Sequence, residues 1–190
     1  MTPFTRTLSL SAVLWPAVLA GQTPPPPRPA AAARPVAFGY RGFTPGMPYR
    51  DFAARAQGMA QQDFLKCQTM HQTAKVMDCG LRVRDPADSA NFYLSANVID
   101  GSVSVASFLD SGAVAIVPRA QAELKKQLGP AHRRERSMWE WTNGRRFIRL
   151  NWRGGRGWRV ISITLNDRDV MDRIVRYRPA PRTAAPAKKP

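Results

Sequence analysis

The sequence predicts an α+β domain, an antiparallel sheet of about seven to eight strands with two helices packed on one face. Two observations carry this. Three runs of alternating apolar and polar residues fold back about short turns, at His71–Lys75, Asp100–Gly101 and Asn143–Gly144. Two other segments, one after Pro48 and one after Pro118, repeat apolar residues at helical spacing. In chain order the elements are helix, four strands, helix, four strands, an order that fits a tandem helix-plus-four-strand repeat.

The first helix follows Gly42-Phe43-Thr44-Pro45-Gly46-Met47-Pro48. Thr44 or Gly46 can open it, and Pro48 suits a first turn, where its missing N–H would have no partner. Tyr49, Phe52, Ala53 and Ala56 share a face, and Gly58 is a fair stop. The next hairpin can be checked for consistency. If Cys67 faces Cys79 across antiparallel strands, Leu65 faces Leu81 and Thr69 faces Met77, because side chains two apart point the same way. That face is mostly apolar, whereas Lys66, Gln68, Met70, Asp78, Arg82 and Arg84 fall on the other. The pattern supports a Cys67–Cys79 cross-strand disulfide, with two unpaired thiols as the alternative. Asp100–Gly101 is a strong signal for a two-residue turn. Pairing outward sets Val98 against Val103, Ala96 against Val105 and Phe92 against Leu109, with Leu94 on the same face. Tyr93, Ser95, Asn97 and Ser104 take the opposite one.

The second helix runs from Arg119 to Leu128, with Ala120, Leu124 and Leu128 four apart and Gly129-Pro130 as its stop. The third hairpin sets Trp141 against Arg146 and Trp139 against Ile148, and Leu150 and Trp152 continue that apolar face. Glu140, Thr142, Arg145, Phe147, Arg149 and Arg153 lie opposite. Gly154-Gly155-Arg156-Gly157 is a turn, and Trp158–Leu165 is a strand rich in β-branched residues. Residues Asn166–Asp169 turn again. Val170–Tyr177 is a strand or a short helix, and Ile174-Val175 after a short loop favours the strand.

Composition divides the chain around this domain, residues 38–178 with halves 38–116 and 117–178. Residues 1–20 have the form of a cleavable signal peptide: Arg6 without acids, an apolar run Leu8–Leu19, and Ala17-Val18-Leu19-Ala20 before a cut. The apolar run is too short to cross ~30 Å of hydrocarbon as a helix. Position 22 is Gln, not the Cys that lipid attachment would need. Residues 21–37 form a Pro/Ala-rich tether, and 179–190 a basic tail of similar composition. Neither holds enough apolar surface to offset the entropy of ordering. The expected destination is the periplasm or the medium. After cleavage the protein is not expected to be an integral membrane protein, and an even cysteine count suits an oxidising compartment.

The net charge of +16 is uneven: residues 1–117 carry +3 and residues 118–190 carry +13. That asymmetry suits an acidic protein or an anionic envelope polymer as partner. Arginine bias from a GC-rich genome accounts for it equally well. Arg145, Phe147, Arg149, Arg153 and Arg156 are the candidate partner-binding residues, on the face opposite Trp139, Trp141 and Trp152, which are expected in the core. No catalytic residues emerge. His71 falls in a turn and His132 in a basic loop, neither at triad spacing with a nucleophile and an acid. Asp85-Pro86-Ala87-Asp88 is expected to be a turn with solvated acids. No metal-ligand run and no phosphate loop is present, so no cofactor is expected.

Gly46-Met47-Pro48-Tyr49-Arg50-Asp51-Phe52 resembles the Gly-Met-Thr-x-x-x-Val opening of the SmpA/OmlA envelope lipoproteins. Leu128-Gly129-Pro130 resembles the Leu-Gly-x-Pro that ends the helical part of that unit. The tandem arrangement is similar to the β-lactamase inhibitor protein fold. The resemblance implies a periplasmic or secreted binding domain rather than an enzyme. Function therefore falls into three classes. The first is an exported non-catalytic binding module acting through an Arg-rich sheet face. The others are a small extracytoplasmic hydrolase and a non-specific nucleic-acid binder, the last opposed by the export signal.

Overall fold

The computed structural model describes residues 37–60, 63–69 and 73–177. The expected signal peptide, nearly all of the tether, His71 and the basic tail lie outside these residues. Helix α1 (Tyr49–Met59) is followed by strands β1 (Lys66–Thr69), β2 (Val76–Arg84), β3 (Asn91–Ile99) and β4 (Ser102–Ala113). Helix α2 (Ile116–Leu128) is followed by β5 (Arg133–Glu135), β6 (Met138–Asn143), β7 (Arg146–Arg153) and β8 (Trp158–Asp167). The chain then forms a short helix, α3 (Arg168–Met171), and a 3₁₀ segment, Asp172–Tyr177. The strands make one antiparallel sheet in the order β1-β2-β3-β4-β8-β7-β6-β5. Each half is a helix and a four-strand meander, and the halves join through their last strands.

Cys67 faces Cys79 and the two are disulfide-bonded, as the alternation requires. Asp100 and Gly101 both have positive φ, 50° and 70°, and Val98 faces Val103 beyond them. The register then departs from simple pairing. A bulge between Asn97 and Val98 leaves Ser104 unpaired, its hydroxyl donating to the Asn97 carbonyl at 3.0 Å. Beyond it Ala96 faces Ala106 instead of Val105, and Tyr93, not Phe92, faces Leu109. One extra residue exchanges the faces of the rest of β4, so Ala106 and Phe108 are buried while Leu109 is exposed. In the third hairpin the turn is Gly144–Arg145, one residue later than expected. Trp141 faces Ile148 and Trp139 faces Leu150. Each partner shifts by two residues, so the faces are unchanged.

The C-terminal segment is helical, which corrects the expected final strand. Strand β8 already has β4 on one side and β7 on the other, so no edge is left for a further strand. Asp167 caps α3, its Oδ1 accepting from Val170 N at 3.1 Å. The fourth strand of the second half is β5, where a basic loop is expected from sequence. Helix α2 begins at Ile116, three residues ahead of the expected Arg119, with Pro118 inside its first turn.

Both long helices cover one face. Phe52, Ala56 and Met59 of α1 and Val117, Ala120 and Leu124 of α2 pack on Leu81, Leu94, Phe108, Trp141, Ile148, Leu150 and Ile163. Trp141 is fully buried, its Nε1 donating to the Gly129 carbonyl at 2.9 Å, while Trp139 and Trp152 flank the core. Gly46 fastens the segment before α1 to β4. Its N–H donates to the Val103 carbonyl at 3.1 Å, and Val103 N returns a bond to the Met47 carbonyl at 2.9 Å. Gly46 has φ of 77°, and a β-carbon there would overlap the carboxylate of Asp167. Asp167 is buried and paired with Arg146 at 2.8 Å.

Gly46→Ala combines a positive-φ penalty with a clash against a buried carboxylate, and should lower stability by about 1–3 kcal/mol in denaturant titration. Replacing Cys67 and Cys79 by Ser should cost about 2–3 kcal/mol for a loop this short, and mass spectrometry of the unreduced wild type should show no free thiol.

Candidate functional site

The helices leave the other face of the sheet open. Strand register arranges its side chains in rows across the strands. One row runs Lys66, Gly80, Ser95, Ser107, Thr164, Arg149, Glu140, Arg133. The next runs Arg82, Tyr93, Leu109, Ser162, Asn151, Met138. The centre of the first row is small and hydroxyl-bearing, so it lies low. Gly80 has a specific reason to be glycine: a β-carbon there would overlap the Tyr93 hydroxyl, so the Tyr93 side chain leans across β2 at that point.

Among the described residues two hollows indent this face on either side of Tyr93. One, of about 990 Å³, is bordered by Arg82, Arg84, Tyr93, Leu109, Arg153 and Val160. The other, of about 760 Å³, lies over Gly80, Ser95, Asn97, Val105 and Ser107. Asp63 borders both. Its carboxylate accepts from the N–H groups of Phe64 and Arg82, and these bonds hold its pKa below the usual range. Tyr93, Leu109 and Trp158 stand 45%, 43% and 54% exposed.

The arginines expected from sequence divide into two kinds. Arg145 lies in the β6–β7 turn and binds Asp169 at 2.5 Å and Asp172. Arg149 binds Glu140 at 2.5 Å and lies 5.1 Å from the Phe147 ring centre, with Arg168 at 5.2 Å. Phe147 is thus half-buried between two guanidinium groups. Arg153 points no bond at any acid among the described residues and lines the larger hollow. Arg156 is exposed in the β7–β8 turn. Arg82 and Arg84 of β2 also stand outside the ion pairs of the described residues and meet Arg153 at that hollow. The alternation assigns them to the polar face, although the bias of charge lies in the second half.

Residues 86–88 form the expected turn and Asp88 is exposed, but Asp85 is buried, which corrects the expectation that both acids are solvated. Arg41 binds Asp85, and its Nη1 and Nη2 donate to the two oxygens of Asp88 at 3.0 and 2.7 Å. Its Nε donates to the Tyr40 hydroxyl at 3.0 Å, and that hydroxyl donates to Glu123 at 3.4 Å. Arg41 also lies 5.3 Å from the ring centres of Tyr40 and Phe92. Burial pushes the Tyr40 pKa up to about 12. Burial likewise raises that of Glu123, while the hydrogen bonds from Arg41 lower that of Asp88. The cluster joins the segment before α1, the β2–β3 loop and α2. Its acids are spent on Arg41, which makes it a lock rather than an acid–base pair.

His132 is exposed, and its Nδ1 accepts from Thr142 N at 2.8 Å. Among the described residues no carboxylate bonds to it, and no group of three or more His, Cys, Asp or Glu could hold a metal ion. Comparison of the chain with protein-family models, with curated proteins and with solved structures finds no match. The fold and the face define its class: an α+β domain whose single sheet is covered by two long helices on one side and is open on the other except where the C-terminal segment covers Val76 and Ile99.

Arg41→Met would leave Asp85, 8% exposed, without its cation. It should destabilise the protein by about 3–5 kcal/mol, and adding Asp85→Asn should recover part of that loss in the same denaturation measurement.

Proposed function

We propose that the chain is an exported, non-catalytic binding module that holds an acidic protein on the open face of its sheet. The observation that carries this is the grouping at one hollow of the exposed Tyr93 and Leu109 with Arg82, Arg84 and Arg153, which are outside the ion pairs of the described residues; the exposed Trp158 lies nearby on β8. Exposed aromatic and aliphatic groups beside free guanidinium groups suit a protein interface, where aromatic and arginine residues carry most binding energy. A simple polyanion would engage the arginines and leave the apolar groups in water. The resemblance to envelope binding domains supports the same reading, as does the tandem arrangement.

Export rests on the composition of residues 1–20. The Cys67–Cys79 disulfide is compatible with an oxidising compartment. Among the described residues no helix is long and apolar enough to cross a membrane.

The test is capture of partners by the immobilised protein from envelope and culture fractions at low and high salt. A protein should be retained with defined stoichiometry and should bind less well as salt rises. Reversing Arg82, Arg84 and Arg153 to Glu should abolish retention without lowering the thermal midpoint. Retention of anionic polymers alone, or retention indifferent to the three reversals, would overturn the proposal.

A further inference from the structure

Resting on that reading, we infer that the partner is anchored by an acidic side chain next to a large apolar one, both seated in the larger hollow between Arg84 and Arg153. Register places Arg84 beside Asn91 on one side of this hollow, and Arg153 beside Val160, itself beside Ser111, on the other. Four strand spacings separate β2 from β7, so the two arginine backbones stand roughly 19 Å apart. Both arginines line the hollow, together with Val160 and Leu109. Arg82 stands one row further in, beside Tyr93.

Three arginines, the apolar Leu109 and Val160, and the acids Asp63 and Asp110 line the same hollow, and the arginines with the apolar groups constrain the ligand in two ways. An apolar group entering alone would strip water from guanidinium groups without supplying an acceptor, which is costly. An anion entering alone would leave Leu109 and Val160 in contact with water. A carboxylate accepts two parallel bonds from one guanidinium group, and an adjacent apolar side chain covers Leu109 and Val160. A peptide segment carries both groups within one residue spacing.

The wall on the side of the second hollow is Tyr93. Its side chain leans over Gly80 because that residue has no β-carbon. A side chain at position 80 displaces Tyr93 without altering any charge, so it separates the shape of the hollow from its electrostatics.

The full-length protein is titrated with a capped hexapeptide of alternating Glu and Leu, and with Gln–Leu and Glu–Gly counterparts. The readout is the emission of Trp158, the exposed tryptophan of the described residues. The Glu–Leu peptide should bind saturably and at least about tenfold more tightly than either counterpart, the order expected for loss of a charge-assisted bond. Arg84→Gln with Arg153→Gln should weaken it by about tenfold or more, and Gly80→Val should weaken it with the net charge unchanged. Equal binding of Glu–Gly and Glu–Leu, or indifference to both sets of variants, would overturn the anchor. If the peptides fail to discriminate while charge reversal still abolishes capture of a protein, the anchor is wrong and the binding module stands. If capture is also indifferent, both readings fall.

Discussion

The antiparallel pairing of β4 with β8 makes one domain of two meanders. Nine residue pairs, from Val105–Asn166 to Ala113–Trp158, join the last strand of each half. Without them each half would end in an unpaired strand, a surface prone to pair with other chains. With them both helices cover the same side, and one continuous face remains on the other. The bulge at Ser104 decides what that face contains. Side chains alternate strictly along a strand, so an unbulged β4 would send Leu109 to the core and Phe108 to the open face. The extra residue instead buries Phe108 against Tyr40 and Phe43 and brings Leu109 into line with Tyr93.

The elements were legible in the sequence because two faces of different polarity impose alternation, and the core stripe of a helix imposes its own period. Cys67 opposite Cys79 and the Asp100–Gly101 turn follow from local chemistry, and the order of helices and strands follows from the pattern. Features set by the surroundings were not legible. Ser104 is a small polar residue in an alternating run, and nothing local marks it as a bulge. The segment from Val170 to Tyr177 has strand-like composition, but β8, the strand it follows, is paired on both sides, so no hairpin can form there. The hairpin turn at Asn143–Gly144 moved by one residue because both neighbouring pairs of residues are compatible with a turn containing Gly144.

The charged residues show the same division between local and tertiary information. Sequence places most of the positive charge in the second half, and part of it is consumed within the fold: Arg145 by Asp169 and Asp172, Arg146 by Asp167, Arg149 by Glu140. Arg41, in the first half, is consumed by Asp85 and Asp88. At the larger hollow the unpaired guanidinium groups of the described residues come from β2 as well as from β7. Net charge describes long-range attraction; only the register tells which guanidinium groups remain free to meet a partner.

The two ends of the open face treat their apolar residues differently. At the end near the Asp100–Gly101 turn, alternation along β2 and β3 turns Val76 and Ile99 toward this side. There the C-terminal segment covers them, with Val170, Ile174 and Tyr177 packed against the pair. Arg176 and Tyr177 fasten that segment to Asp100. At the far end Tyr93, Leu109 and Trp158 have no such cover among the described residues. Covering apolar area is worth about 25 cal/mol per Å², and the chain takes that gain at one end of the face only. An open face of an antiparallel sheet ordinarily alternates to polar residues throughout. Here the departure at Tyr93 and Leu109 coincides with Arg82, Arg84 and Arg153 at one hollow, outside the ion pairs of the described residues, and such a grouping differs from exposed hydrophobic residues scattered singly.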